Sequence, residues 1–294
     1  MPLTTHLATD PLLLISLTSL LGLIIGSFLN VVRYRLPLLL EQQWQLACQP
    51  YIAPSHPPVA TAPAPPRFDL IWPPSHCPQC QHPLGVLENI PLLSYLLQRG
   101  RCRHCAAPIS RRYPLLELLT ALVSGITAWH FGYGVALAAA LLLSWSLLAL
   151  AAIDLDTLLL PDVITLPLLW LGLLVALWGV FTEIDAAVIG AMAGYLTLWS
   201  IQQGYRLLTG RDGMGGGDLK LLALLGGWLG WQLLPLLLLL ASLFGTLIGG
   251  VLLLRGHQRQ QPMPFGPSLA LAGWVTLLWG DLIVQRYQQW AWGV

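Results

Sequence analysis

Charged side chains are scarce in this 294-residue sequence, where only 9% of the residues are Asp, Glu, Lys or Arg. A soluble domain is usually about a quarter charged, so the scarcity excludes an ordinary water-soluble fold. The formal net charge is only +1, which argues against a nucleic-acid partner. Because 56% of the residues are hydrophobic, the composition indicates a protein that lies mainly in lipid.

Apolar segments long enough to cross a bilayer recur along the chain. A crossing takes about 20 residues, and the segments 134–153 and 163–182 each contain no charge. The sequence therefore predicts an all-α polytopic membrane protein with about eight transmembrane helices, at roughly 12–32, 114–131, 134–153, 163–182, 184–203, 218–231, 234–254 and 266–285.

The basic residues predict the orientation of these helices. If the N-terminus lies outside, 13 of the 14 Lys and Arg residues fall in internal segments and only Arg286 lies outside, as the positive-inside rule requires. Those internal segments are 33–113, 154–162, 204–220 and 255–265. Basic residues follow the first helix and do not precede it, which is the reverse of a secretory signal peptide. We therefore expect the first helix to be retained.

A long polar segment separates the first two predicted helices. It predicts three parts for the chain: a first helix at 1–33, a cytoplasmic domain at 34–113 and a membrane core at 114–294. The middle of the polar segment, around 53–66, is rich in Pro and Ala, which is typical of an extended linker.

Two C-x-x-C pairs, separated by 21 residues, lie near the end of this segment. Each pair can hold one edge of a tetrahedral ion, so the spacing predicts a structural zinc site. The predicted ligands are Cys77, Cys80, Cys102 and Cys105, and the possible substitutes are His76, His82 and His104. Disulfides or a redox dithiol are the alternative, which a cytosolic location disfavours. Cys48 stands apart as a free thiol.

Two acidic residues lie at predicted helix ends that face the same side of the membrane. Asp154 ends a helix that runs inward, and Asp218 begins one that leaves the inner face. Ionisable groups at membrane depth are costly and tend to be functional. Two carboxylates held close share a proton, so that one acts as a base toward water, as in aspartic proteases. Asp156 and Asp162 are alternatives to Asp154, and Asp218 could instead serve only as a helix N-cap.

Glycine occupies four of the five positions before Asp218. Glycine allows a positive φ and the close approach of another chain. We therefore expect Gly215 and Gly217 to let an extended substrate segment lie against this loop. Lys220 and Arg211 are candidates for positioning the loop or for balancing the aspartate charge.

Taken together, these motifs resemble those of the bacterial type IV prepilin leader peptidases, which are bifunctional GxGD-type aspartic peptidases and N-methyltransferases. IGSFLNVVRYRLP at 25–37 resembles the N-terminal signature of that family, and 76–124 resembles its tetracysteine domain. AAIDLDTLLLPDVITLPLLWLGL at 151–173 resembles the segment with the first catalytic aspartate, and GMGGGDLKLLALLGGWLGW at 213–231 resembles the GxGD segment with the second.

The register of this resemblance makes Asp154, seven residues before Pro161, the first catalytic aspartate and Asp218 the second. It implies that the two acids activate water to cleave the leader from prepilins and pseudopilins, at the cytoplasmic face of the bacterial inner membrane. The new N-terminal residue would then be methylated with S-adenosylmethionine as the donor. The sequence does not identify the residues that bind the donor, for which the cysteine domain and the segment 88–101 are candidates. No Gly-rich Rossmann fingerprint supports a standard methyltransferase fold.

Two other functions use parts of the same pattern. A transporter or channel would use Asp154 and Asp218 as a proton or cation relay, but such sites concentrate at the bilayer midplane and no inverted repeat is evident. A membrane scaffold would need the zinc unit and neither aspartate.

Overall fold

The computed structural model describes residues 7–52, 68–211, 213–254 and 263–292. Within these residues the chain is helical, and its β-structure is limited to two isolated bridges. The Pro- and Ala-rich stretch predicted as a linker, at 53–66, lies outside the described residues.

Every predicted membrane segment corresponds to a helix, which confirms the all-α fold class. A short helix, α2 (Leu93–Leu97), lies between the first two long ones. The long helices are α1 (Pro11–Ile52), α3 (Arg112–Phe131), α4 (Val135–Thr157), α5 (Asp162–Ala176), α6 (Ile184–Thr209), α7 (Gly216–Leu229), α8 (Leu234–Leu254) and α9 (Gly266–Trp292).

Six of these helices are long and apolar enough to cross a membrane, as expected of a multi-pass membrane protein. The other two are shorter than a crossing of about 20 residues, because α5 has 15 residues and α7 has 14. Every residue of α7 from 221 to 229 is buried inside the protein. The predicted sixth crossing thus corresponds to a short helix that its neighbours surround.

The chain forms two compact units, one comprising residues 17–123 and the other residues 1–16 and 124–294. In the first unit, α1 continues past its expected end at residue 33. The Arg35 side chain on this extension is buried and donates to the backbone carbonyls of Asp69, at 3.0 Å, and Pro73, at 2.6 Å. Arg35 thus joins the extended α1 to the segment that precedes the cysteines. The domain boundaries at 33 and 113 stay a prediction.

In the second unit, α7 packs against α5, α6 and α9. Small residues bring α6 and α7 together, because a Cβ added at Gly190 or Gly226 would overlap the backbone of the other glycine. Trp228 is buried and donates its indole N–H to the Leu168 carbonyl of α5 at 2.8 Å. This packing fixes the helix that contains Asp218.

We predict that Gly226→Ala lowers the melting temperature of the detergent-solubilised protein. The added methyl group would meet the Gly190 carbonyl, which is backbone and cannot rotate away. Overpacking of this kind costs about 1–3 kcal/mol. The measurement is thermal unfolding followed by tryptophan fluorescence.

Gly227→Ala is the matched control, because its added Cβ would have its nearest neighbours, on Ala191 and Leu173, at an ordinary 3.7 Å. Both changes give the same gain in helix propensity. Equal melting temperatures for the two variants would contradict the close contact between α6 and α7.

Candidate active site and metal centre

The structure brings Asp154 and Asp218 together, although 64 positions separate them in the sequence. Asp154 lies in the last turn of α4 and Asp218 in the first turn of α7. Their exposed fractions are only 5% and 8%. The Leu160 side chain lies against both Gly217, next to Asp218, and Gly266, whose N–H binds Asp154. The N-cap of α7 is Gly215. Asp218 therefore lies inside the helix, and the simple N-cap alternative is wrong.

A backbone donor fixes the orientation of Asp154. The N–H of Gly266, the first residue of α9, donates to Asp154 Oδ2 at 2.9 Å. The first N–H groups of a helix have no partner within it and carry its partial positive charge, so they suit a buried carboxylate. A Cβ at Gly266 would lie 2.7 Å from Asp154 Oδ2. Only glycine lets the backbone approach the carboxylate this closely.

The glycine loop before Asp218 uses close packing and not a special backbone conformation. None of its four glycines has a positive φ, so that part of the expectation is wrong. A Cβ at Gly217 would lie 2.8 Å from Leu160 Cβ, whereas one at Gly216 would meet nothing within 4 Å. Gln202 Nε2 of α6 holds the loop through the Met214 carbonyl, at 2.8 Å.

The remaining candidate residues lie around this pair. Lys220 Nζ contacts both carboxylate oxygens of Asp162, at 2.6 and 2.8 Å, and so joins the start of α7 to the start of α5. Lys220 therefore neutralises Asp162, which was an alternative catalytic acid. The other alternative, Asp156, is exposed. The roles assigned to Gly215, Gly217 and Lys220 stay predictions.

The four predicted cysteine ligands form one cluster, in which all the sulfurs lie within 4.8 Å of one another. The Sγ–Sγ distances are 3.8 Å for Cys77 and Cys105 and 4.0 Å for Cys80 and Cys102. A disulfide would require about 2.05 Å, so the disulfide alternative is wrong for this structure. Four thiolates around one zinc ion at about 2.3 Å would lie about 3.8 Å apart. The cluster fits that ion.

The cysteine cluster is built from two similar C-x-x-C turns, at 77–83 and 102–108, which we call knuckles. Cys77 N–H donates to the His82 carbonyl, and Cys102 N–H donates to the Ala107 carbonyl. The residue after each second cysteine, Gln81 or Ala106, has a positive φ near 57°. Backbone N–H groups of Cys80 and Gln79 lower the pKa of the Cys77 thiol to about 6. Against a backbone hydrogen bond at Ala107, burial and the neighbouring thiols raise the pKa of Cys105 to about 11, so the thiolate that binds metal is favoured first at Cys77. Cys48 lies outside the cluster.

Sequence reasoning missed Gly266 and Leu160. PFGP at 264–267 indicates a helix start, with Pro next to Gly, but not which carboxylate lies against it. The side chain of Leu160 contacts the positions of both Gly217 and Gly266 and so lies between the two aspartate segments. The shared spacing C-x-x-C-x-x-P in 77–83 and 102–108 was the signal for the paired knuckles.

Fold and site together define a polytopic membrane protein with a buried aspartate pair and a tetracysteine cluster. Comparison with known families gives this class a name. The model described as Bacterial Peptidase A24 N-terminal domain matches residues 20–131, and that of the Type IV leader peptidase family matches residues 141–250. No solved structure matches the chain.

Curated relatives match along nearly the whole length, and each is named Prepilin leader peptidase/N-methyltransferase. The protein from Aeromonas hydrophila is 57% identical over 94% of both chains. The one from Pseudomonas aeruginosa is 50% identical over 99% of both chains, and one from Burkholderia pseudomallei is 48% identical over 95% of this chain and 90% of its own. The chain belongs to the Type IV leader peptidase family, which confirms the predicted family and the prediction of an enzyme.

We predict that Gly217→Ala lowers peptidase activity by about a hundredfold. The new methyl group would collide with Leu160 Cβ, which is close to the backbone and cannot swing away. Displacement of a catalytic group by about 1 Å can cost a factor of about 10². The measurement is the initial cleavage rate of a leader-bearing substrate in detergent.

The adjacent Gly216→Ala is the matched control, because its methyl group enters open space. It should keep most of the activity. Equal loss in both variants would show that loop flexibility, and not contact with Leu160, limits catalysis.

Proposed function

We propose that this chain is an aspartic endopeptidase that removes the leader from type IV prepilins and type II secretion pseudopilins. In the proposal, the same protein then methylates the new N-terminal residue with S-adenosylmethionine. The observation that carries the peptidase assignment is the burial of both Asp154 and Asp218, on segments that meet at Leu160. The names of the relatives supply the substrate class and the second activity.

Peptide hydrolysis by this pair requires one carboxylate and one carboxylic acid. The carboxylate takes a proton from a water molecule as the water oxygen attacks the scissile carbonyl carbon, while the acid protonates the carbonyl oxygen. On collapse of the tetrahedral intermediate the C–N bond breaks, the aspartate that took the water proton donates it to the leaving nitrogen, and the other aspartate takes a proton back from a hydroxyl of the intermediate. The proton belongs to the pair and not to one residue. Gly266 N–H would keep the Asp154 carboxylate in place during these proton transfers.

The glycine loop beside Asp218 suits an extended substrate. A peptide must present its backbone carbonyl to both aspartates, and the glycines at 215 and 216 leave open backbone beside Asp218. We place the site at the cytoplasmic face of the inner membrane, with the N-terminus in the periplasm, because this orientation puts the basic residues inside. A basic prepilin leader would then lie in the cytosol and its apolar helix in the bilayer.

The cysteine cluster is proposed to hold a structural Zn²⁺. Its ligands would be Cys77, Cys80, Cys102 and Cys105. The ion would join the two knuckles, where the buried cluster among the described residues consists of Cys77, Cys102 and Ala107. Metal binding can supply folding energy where apolar burial is small. We also propose the region of the knuckles and residues 88–101 as the binding region for S-adenosylmethionine, which supplies the transferred methyl group.

A proton or cation relay is not favoured as a function. It would use the same two aspartates, but the chain belongs to a peptidase family over nearly all of its length.

The test is cleavage of a prepilin peptide by wild type, Asp154→Asn and Asp218→Asn, followed by mass spectrometry. We expect each variant to lose cleavage by about 10²–10⁴-fold, the usual contribution of a general acid or base. With a pre-cleaved peptide and S-adenosylmethionine, both variants should still add a methyl group, because methylation does not use the aspartate pair.

Asp156→Asn is the matched control, since Asp156 is an exposed acid two positions from Asp154 on the same helix. It should cleave at the wild-type rate. Wild-type cleavage by either Asp154→Asn or Asp218→Asn would overturn the assignment of the catalytic pair.

A further inference from the structure

A second group of metal-binding side chains lies near the cysteine cluster and is separate from it. One ring nitrogen each of His82 and His104 and a carboxylate oxygen of Glu88 all lie within 4.8 Å of one another. The three residues come from the first knuckle, the short 3₁₀ helix Val86–Asn89 and the second knuckle. We propose that they form a second metal site, which binds a divalent first-row transition ion such as Zn²⁺.

The distances between the side chains suit ligands of a shared ion better than direct partners. Glu88 Oε1 and His104 Nε2 are 3.8 Å apart, which is too far for a hydrogen bond. Two ligands that each lie about 2.0–2.1 Å from one zinc ion are about 3–4 Å apart. The rings of His82 and His104 are stacked, with their centroids 3.5 Å apart, so the rings would rotate out of this stack to direct a nitrogen each at one ion.

The Glu88 carboxylate is already oriented. Its other oxygen, Oε2, accepts the Gly85 N–H at 3.0 Å, which leaves Oε1 directed toward His104. Outer hydrogen bonds of this kind commonly orient carboxylate ligands in metal sites. The carboxylate would therefore need little rearrangement on binding.

The donor set defines the class of ion. Two imidazoles and one carboxylate suit zinc and other first-row transition ions and not Mg²⁺ or Ca²⁺, which prefer oxygen ligands. Solvent reaches the group, so water would complete the coordination. The ion would connect both knuckles to the start of the 88–101 segment, whereas the cysteine site connects only the knuckles.

The experiment measures Zn²⁺ uptake by full-length, tag-free protein in equilibrium dialysis against increasing free Zn²⁺. The quantity compared is the difference between wild type and the double variant His82→Ala/His104→Ala. We expect wild type to bind one more equivalent per chain than the double variant. Glu88→Gln should weaken the same equivalent, because it keeps an oxygen for Gly85 but removes the negative charge.

His76→Ala is the matched control, because His76 is a neighbouring histidine whose Nδ1 lies 3.1 Å from the Pro74 carbonyl and which is outside the group. It should bind as much Zn²⁺ as wild type. Equal uptake by wild type and the double variant would overturn the proposal, as would an equal loss in His76→Ala. Loss of Zn²⁺ from the cysteine site would lower uptake equally in wild type and in every variant, and the difference between them would stay the same.

The single variant His82→Ala protects the test against misfolding of the double variant. It removes one ligand only and should lower Zn²⁺ affinity at the second site, while the protein elutes as wild type does in gel filtration. Unchanged affinity in a well-folded His82→Ala protein would also overturn the proposal.

Discussion

The burial of two carboxyl groups next to each other is the constraint on which the membrane unit depends. An ionised carboxylate in an apolar interior is costly unless hydrogen bonds or a partner compensate it. Here the compensation comes from backbone, because α9 begins at Gly266 and directs its first N–H at Asp154. Asp218 lies in the first turn of α7, where the helix dipole also favours negative charge. The stabilisation of negative charge on both aspartates thus depends on where a helix begins.

This constraint explains why residues without functional groups matter to the site. Gly266 must lack a Cβ for its N–H to reach Asp154, and Gly217 must lack one for Leu160 to fit beside the pair. Leu160 in turn separates the two segments with an apolar side chain. Lys220 contacts Asp162 and so links the start of α5 to the start of α7. An exposed pair of this kind adds little stability by itself.

Local patterns in the sequence predicted which side chains the structure groups or buries, and contacts distant in sequence account for what they missed. The predicted helix ends and the inside–outside alternation of the helices placed Asp154 and Asp218 on one side of the membrane. The C-x-x-C spacing predicted the four clustered cysteines. The Gly266 donor could not be predicted, because 112 positions separate it from Asp154. The extension of α1 to Ile52 was missed for a similar reason, since the partners of Arg35 lie on the Asp69–Pro73 segment.

The most direct measurement is chemical bridging of positions 154 and 218. Asp154→Cys/Asp218→Cys protein, in a Cys48→Ser background, would be treated with dibromobimane, which joins thiols a few ångströms apart, and the peptides would be identified by mass spectrometry. Adjacent aspartates predict a bridged pair of peptides from α4 and α7, with far less bridging when position 156 replaces 154. Separate labelling of positions 154 and 218 without a bridge, in protein that elutes as wild type does, would contradict a single catalytic pair.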